Sequence, residues 1–328
     1  MHVLVTGASG LLGSNLCRRL IEDGHTVRAL VRQPLNHPLL EGMSVEQCTG
    51  DILDPDSLAD AVAGCGAVFH AAGYISYLDR EAKHCYAVNV DGTRNLLAAS
   101  IAAEVRRFVH TSSTAAVGIP DDYRRPLDED AAFDPKYRGV AYMQTKWAGE
   151  QLVKQCTEMD TVIVNPSTIF GAGDVKMNTG AMFQRLKSGQ LRSLPPGGTA
   201  CVSVQDCVTG HLLAWKQGQP GRRYILSSAN HSLAEVFETA ARLLGEPTPT
   251  RRVPAWLYPV VYAAMWLHDQ TAARLVPATI SRQMIMIGFK HRYFSAERAK
   301  VELGWRPTQS LKDMFTEAIA FYEKQDLL

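Results

Sequence analysis

The sequence predicts an α/β protein: a doubly wound parallel sheet with a smaller, mostly helical C-terminal domain. Three observations carry this. Short apolar runs alternate with helical patterns through the first half of the chain. Those runs are nearly continuous in apolar residues, as strands covered by helices on both faces must be. After Pro166 the alternation breaks down and helical patterns take over. Right-handed crossovers between parallel strands then produce the doubly wound order.

In chain order, strands are expected at His2–Val5, Val27–Val31, Ala67–Phe69, Arg107–His110 and Thr161–Val164. Helices are expected between them at Leu11–Glu22, Pro55–Ala63, Ala82–Ala103 and Ala141–Cys156. From Gly171 to Gly198 the chain is rich in Gly, Asn and Pro around one helix, Met182–Ser188. Val202–Val204 and Arg223–Leu226 read as strands flanking a helix from Asp206 to Trp215. Ser232-Leu-Ala-Glu235 and Ser310-Leu-Lys-Asp313 have the form of capping boxes, the second with Asp where Glu or Gln is preferred.

Composition narrows the function classes. The 328 residues are 46% apolar and 20% charged, ordinary for a globular chain. Net charge is 34 − 33 = +1, so no global basic field favours nucleic acid or an anionic membrane. Seven scattered cysteines include no CxxC and no zinc-ligand spacing, which predicts reduced thiols, a cytoplasmic protein and no metal site. The opening MHVLVTG has no basic n-region and predicts no leader. The longest nearly uninterrupted apolar stretch, Pro254–Leu267, has 14 residues, below the roughly 20 that span a bilayer. It reads first as a buried core helix, with a peripheral membrane contact or a partner surface as lesser readings. His70, His110 and His211 sit in apolar surroundings and read as packed histidines.

Val3-Leu-Val-Thr-Gly7-Ala-Ser9-Gly10-Leu11-Leu12-Gly13 places three glycines where a strand turns into a helix. Gly7 suits the tight turn, Gly10 lets a pyrophosphate approach N–H groups at the helix start, and Gly13 lets helix and sheet pack closely. The bare pattern is weak, but its strand–turn–helix context is what a dinucleotide site requires. TGASGLLG resembles the extended short-chain dehydrogenase/reductase family. Nicotinamide folds that prefer NAD place an acid at the end of the second strand. Here Thr26–Val31 is followed by Arg32, suited to a 2′-phosphate and so to NADP(H); the alternative is a solvated surface arginine.

Tyr142-Met-Gln-Thr-Lys146 puts a phenol and an ammonium on one helix face. The pair is common by chance, and a surface pair is its plain alternative. In a site, Lys146 would favour phenolate and bring Tyr142 toward working pH. His110-Thr-Ser112-Ser113 resembles the family's serine segment, which implies that Ser113 faces the substrate and Ser112 points elsewhere. The resemblance extends to five further segments. Gly50-Asp51-Ile52 resembles the adenine turn, although Asp51 could instead start a helix before Pro55. His70-Ala71-Ala72-Gly73 resembles a glycine turn beside the cofactor. Asn89 opens a segment similar to the family's NVxGTxNLL helix, where it braces active-site backbone or a water chain. Asn165-Pro166-Ser167-Thr168 resembles the segment beside the nicotinamide, and Phe294 to Pro307 resembles the C-terminal signature. The implied domains are an NADP-binding unit, 1–170 and 199–227, and a substrate-binding unit, 171–198 and 228–328.

Departures from the family separate its reactions. Dehydratases carry an acid pair where this chain has Thr114, Ala115 and Ala116. Nucleotide-sugar epimerases grip a diphosphate with an arginine near Pro196–Val204, where none occurs, pointing to an uncharged or small substrate. The chain is most similar to the dihydroflavonol-reductase-like branch, which includes sequences named hopanoid-associated sugar epimerases. That resemblance implies an NADPH-dependent reductase acting on a ketone or aldehyde, reversibly an alcohol dehydrogenase. An epimerase with tightly held NAD(P) is the enzyme alternative, and a redox sensor without turnover is a third reading. The resemblance also implies a homodimer through Ala82–Ala103 and Ala141–Cys156.

Overall fold

The computed structural model describes residues 1–33, 39–271 and 281–328; part of the helical remainder expected after residue 228 thus lies outside the described residues. The strands are β1 (His2–Thr6), β2 (Thr26–Val31), β3 (Val45–Thr49), β4 (Ala67–His70), β5 (Arg107–Thr111), β6 (Asp160–Pro166), β7 (Thr168–Phe170), β8 (Ser193–Leu194), β9 (Gly198–Ser203), β10 (Arg223–Leu226), β11 (Ala229–Ser232), β12 (Arg251–Arg252) and β13 (His291–Arg292). The helices are α1 (Leu11–Glu22), α2 (Leu58–Val62), α3 (Ala82–Tyr86), α4 (Gly92–Ala102), α5 (Ala141–Gln155), α6 (Gly180–Lys187), α7 (Val204–Gln217), α8 (Leu233–Leu244), α9 (Tyr258–Thr271), α10 (Arg282–Phe289), α11 (Glu297–Glu302) and α12 (Leu311–Lys324).

Seven strands form one sheet in the order β10-β6-β5-β4-β1-β2-β3, every neighbouring pair parallel. The order reverses direction about β1, so the doubly wound expectation holds. Strand β3 was not expected. It lies at the sheet edge with Glu46, Gln47 and Thr49 exposed, and a solvated edge strand lacks the apolar run that marks a central one.

Apolar side chains on the two sheet faces bury two helix layers. One face meets α1, α7 and α11 through Leu16, Leu20, Trp215, Ala299 and Leu303. Trp305, fully buried, joins it and donates its indole N–H to Asp206 O at 2.9 Å. The other face meets α2, α4 and α5 through Leu58, Leu96, Phe108 and Val153. Each such side chain contributes about 1.5–3 kcal/mol on burial. A separate cluster of Phe170, Phe183, Phe315 and Tyr322 joins α6, α8 and α12.

Strand β9 departs from the expected division of the chain. It lies in a second, small sheet, paired with β7, β11 and β13, while β10 returns to the edge of the large one. Two helices are also broken. Pro55–Ala63 becomes a 3₁₀ turn capped by Asp54 and then α2. Ala82–Ala103 is interrupted by a π-helical turn at Ala87–Asp91, the kind of bulge that recurs at functional sites. The capping boxes reverse their expected ranking. Ser310 and Asp313 make both reciprocal bonds, whereas Ser232 caps Glu235 N but the Glu235 carboxylate turns to His231 Nδ1 at 2.7 Å.

The stretch Pro254–Leu267 is not a core helix. Trp256, on the 3₁₀ turn before α9, is 72% exposed, and Trp266 is 50% exposed because α9 packs chiefly against α10 and presents its other face to solvent. Among the described residues no helix is long and apolar enough to cross a membrane.

Candidate active site

The carboxyl ends of β1, β2, β4, β5 and β6 open into one cleft of about 580 Å³, the place where a doubly wound sheet binds ligands. Gly7, Ser9, Gly10, Leu11, Leu12 and Gly13 line its floor. Gly7 has φ +68°, and a Cβ on it would lie 2.7 Å from the Ala71 backbone. A Cβ on Gly13 would lie 2.2 Å from Gly7 O, so both positions exclude any side chain. Gly10 is the N-cap of α1 and no side chain caps that terminus. Its first-turn N–H groups, with no acid beside them, are suited to a pyrophosphate.

Arg32, at the end of β2, reaches the same cleft and has no carboxylate partner among the described residues. Asp51 and Ile52 line the cleft beside it. Asp51 Oδ1 accepts from Leu53 N at 3.0 Å, and Asp54 rather than Asp51 caps the following turn. Ala71, Ala72 and Gly73 form the opposite wall. That turn is held by a relay: Ala72 N donates to Thr6 Oγ1 at 3.2 Å, and Thr6 Oγ1 meets His70 Nδ1 at 2.8 Å. The other ring nitrogen of His70 meets Thr93 Oγ1 at 3.0 Å. Burial drives the His70 pKa down to about 3, so this packed histidine is a neutral strut between β1, β4 and α4. His211, lowered by burial to about 4, binds Thr111 Oγ1 in the same way. His110 is fully enclosed beside His70, and neither of its ring nitrogens finds a partner.

Tyr142 and Lys146 lie one turn apart on α5, both at the cleft wall and both buried. The Ser113 hydroxyl, arriving from the end of β5, lines the same cleft wall as the Tyr142 phenol. Ser113 Oγ accepts from Ala115 N at 3.1 Å, which leaves its proton available to a ligand. Lys146 Nζ donates to Thr111 O at 2.7 Å, and two further donors remain. The expected lowering of the phenol by Lys146 is not what dominates here. Burial pushes the Tyr142 pKa up, Tyr77 adds to the rise, and Ser113 opposes it. Tyr142 therefore stands as a protonated donor. Burial also lowers Lys146 to about 8, against the opposing carboxylate of Glu150.

Asn89 does not line the cleft. It lies behind the wall, inside the π-helical turn, with Oδ1 accepting from Tyr74 N at 2.9 Å. Its Nδ2 donates to Tyr74 O at 2.9 Å and Thr145 Oγ1 at 3.1 Å, so it braces backbone. Pro166, Ser167 and Thr168 line the cleft beyond Ser113. Ser112 points away, donating to Glu150 Oε2 at 2.7 Å.

Two residues escaped the sequence reading. Glu150 extends the Tyr142–Lys146 row by one more turn, a signal present in the spacing. It is fully buried, pairs with Arg223 at 2.9 Å, and accepts from Asn165 Nδ2 at 2.7 Å. Asn165 Nδ2 also donates to Ser113 O at 3.0 Å, so the ion pair supports the serine turn from beneath. Arg292 lies far along the chain on a two-residue strand, and only the register that sets it opposite Thr199 brings it to the cleft. No local pattern announces it.

The glycine cradle, the uncapped helix start and the free arginine fit a nicotinamide dinucleotide. Comparison with known proteins agrees. Residues 3–227 match the NAD dependent epimerase/dehydratase family. A Synechocystis protein provisionally named a dihydroflavonol 4-reductase is 34% identical over 97% of this chain and 94% of its own length. Sterol demethylase protein B of Methylococcus capsulatus is 31% identical over the whole of both chains. The crystal structure of gox2253 superposes with a TM-score of 0.87 at 33% identity, covering 99% of each chain. The chain therefore belongs to the NAD dependent epimerase/dehydratase family, the extended short-chain dehydrogenases/reductases, an oxidoreductase-type family of NAD(P)-dependent enzymes.

Proposed function

We propose that the protein is an NADPH-dependent reductase of an apolar or aromatic ketone or aldehyde, able to run in reverse as an alcohol dehydrogenase. The observation that carries this is that buried Tyr142, Lys146 one turn further along α5, and Ser113 all line the cleft that holds the glycine turn. A bound nicotinamide cofactor would supply the hydride. Tyr142 gives its proton to the carbonyl oxygen as general acid. Ser113, its lone pair engaged by Ala115 N, donates its own proton in a hydrogen bond that polarises the same oxygen. Lys146 is anchored by Thr111 O, and its remaining donors would hold the ribose of the bound cofactor.

The substrate end of the cleft supports an apolar body. Ile119, Met143, Ile287 and Phe294 line it. The acid pair that a dehydratase needs is missing, since Thr114, Ala115 and Ala116 form the 3₁₀ turn after Ser113. The relatives named for a dihydroflavonol and for a sterol point to fused-ring apolar substrates. Preference for NADPH rests on Arg32.

The test is NADPH consumption against a panel of aromatic ketones, aldehydes and nucleotide sugars. The expected result is oxidation of NADPH with an aromatic or alicyclic ketone. Interconversion of a nucleotide sugar with no net change in NADPH would replace this reading with an epimerase.

A further inference from the structure

Among the described residues, the cleft holds one cation that the cofactor does not account for. Arg32, Lys146, Lys176 and Arg292 line it, against only two carboxylates, Asp51 and Asp174. Asp51 stands beside Arg32 at the far end. Asp174 is consumed locally, accepting from Asn178 N, Thr179 N, Thr179 Oγ1, Gly180 N and Tyr322 OH at 2.8–3.2 Å. Arg32 and Lys146 are accounted for by the cofactor in the proposed reaction, and Lys176 is exposed at the rim. Arg292 is left without a role.

Arg292 is placed for one. Its Nη2 donates to Thr199 Oγ1 at 3.1 Å, and Thr199 Oγ1 meets Thr168 Oγ1 at 3.0 Å. This short chain ties the guanidinium to Thr168 in the Pro166–Thr168 wall, three residues beyond the Asn165 that holds Ser113. It lines the same cleft as Tyr142 and Tyr77, and Ile287, five residues earlier in the chain, packs with Tyr77 and Met143 at the substrate end. Its Nε is buried with no partner, and no carboxylate pairs with it among the described residues. A guanidinium offers five donors in a planar fork, and half-buried Arg292, beside Ile287 and Phe294, has one of them engaged by Thr199 and others left for a ligand. Glu235, at the start of α8, is already engaged by His231.

We propose that Arg292 is a substrate-recognition residue, and that the substrate is an amphiphile whose carboxylate sits close to the reacting carbonyl or alcohol carbon while its apolar body lies along Ile119, Met143 and Ile287. The proposal rests on the reductase reading for which carbon reacts. The binding claim itself stands on the cleft alone. Pro196–Val204 itself carries no arginine, as the sequence showed, but Arg292 on the adjoining strand is the register partner of Thr199, so an anionic group on a small substrate can still be met there.

The test measures binding, by calorimetry, to the full chain with NADP⁺ present, using biphenyl-4-carboxylate and biphenyl-4-carboxamide, which share a shape and differ in charge. The acid should bind at least about tenfold more tightly than the amide, as one charge-assisted contact supplies. Arg292→Gln should bring the two within about twofold, and Arg292→Lys should keep part of the preference because the charge stays while the fork is lost. Thermal melting of each variant identifies any that fails to fold; the native ratio and the Arg292→Lys ratio then decide alone. Equal affinities in the native protein, or no measurable binding of either probe, overturn the proposal. UDP-glucose binding more tightly than the acid, with the same dependence on Arg292, overturns it in favour of a diphosphate. An acid preference in a protein that reduces no carbonyl leaves Arg292 assigned and removes the reductase; reduction of neutral ketones without an acid preference does the opposite.

Discussion

The two ends of the cleft are built in different ways. The cofactor end is made of short consecutive runs at strand ends: Gly7–Gly13, Arg32, Asp51–Ile52 and Ala71–Gly73. Its two glycine turns present backbone, and Arg32 and Asp51 stand at fixed places just past strand ends, so local sequence dictates them. The substrate end is assembled from side chains at Tyr77, Ile119, Met143, Ile287 and Arg292, drawn from segments with no shared pattern. Backbone sites are written in contiguous motifs, whereas side-chain pockets depend on tertiary placement. That contrast generates the predictions below, from the largest expected effect to the smallest.

The Glu150–Arg223 pair lies beneath the serine turn, at the join of the two ends. Glu150→Ala leaves the half-buried Arg223 guanidinium with only its carbonyl partners and two buried donors, Ser112 Oγ and Asn165 Nδ2, short of an acceptor, and should lower folding stability by about 2–4 kcal/mol. Denaturant unfolding checks this; a loss below about 1 kcal/mol would show that water replaces the carboxylate.

Lys146→Met removes the one side chain shared by both ends. It should cost at least about a hundredfold in kcat and also weaken cofactor binding, because the ammonium serves phenol and ribose together. Loss of rate with unchanged NADPH affinity would confine Lys146 to the chemical step. Arg32→Ala acts on the cofactor end only. The native protein should bind NADPH at least about tenfold more tightly than NADH, and the variant should lose that preference. Equal dissociation constants in the native protein would contradict the assignment.

The smallest effect is one of pH. Burial holds Lys146 at about 8, below the roughly 10.4 of an unfolded lysine. Between those values the unfolded chain binds more protons than the folded one, so this group's contribution to stability rises with pH. Comparing native protein with Lys146→Met at about pH 7.5 and 9.5 isolates it: the native chain should gain relative to the variant at the higher pH. A parallel response would place the lysine in a wetter setting.

What was legible in the sequence follows the same division. Central strands announced themselves because burial on both faces demands apolar runs; edge strand β3 did not, since Glu46 and Gln47 face water. The π-helical turn around Asn89 was invisible because it depends on contacts with Tyr74 and Thr145 rather than on local propensity. Pro254–Leu267 misled for the converse reason, as composition alone does not say which side of a helix is covered. Ser113, Tyr142 and Lys146 could be named from motifs, but the direction of the phenol's shift required the burial that only the fold supplies.

The central claim is that Tyr142 is the proton donor in a carbonyl reduction. Tyr142→Phe keeps the ring and its edge-on contact with Tyr77 and removes only the acidic proton. On the ketone that the native enzyme reduces fastest, kcat should fall by at least about a hundredfold while NADPH affinity changes little. A Tyr142→Phe enzyme with near-native turnover would show that another group donates the proton, and the account of the site would be wrong.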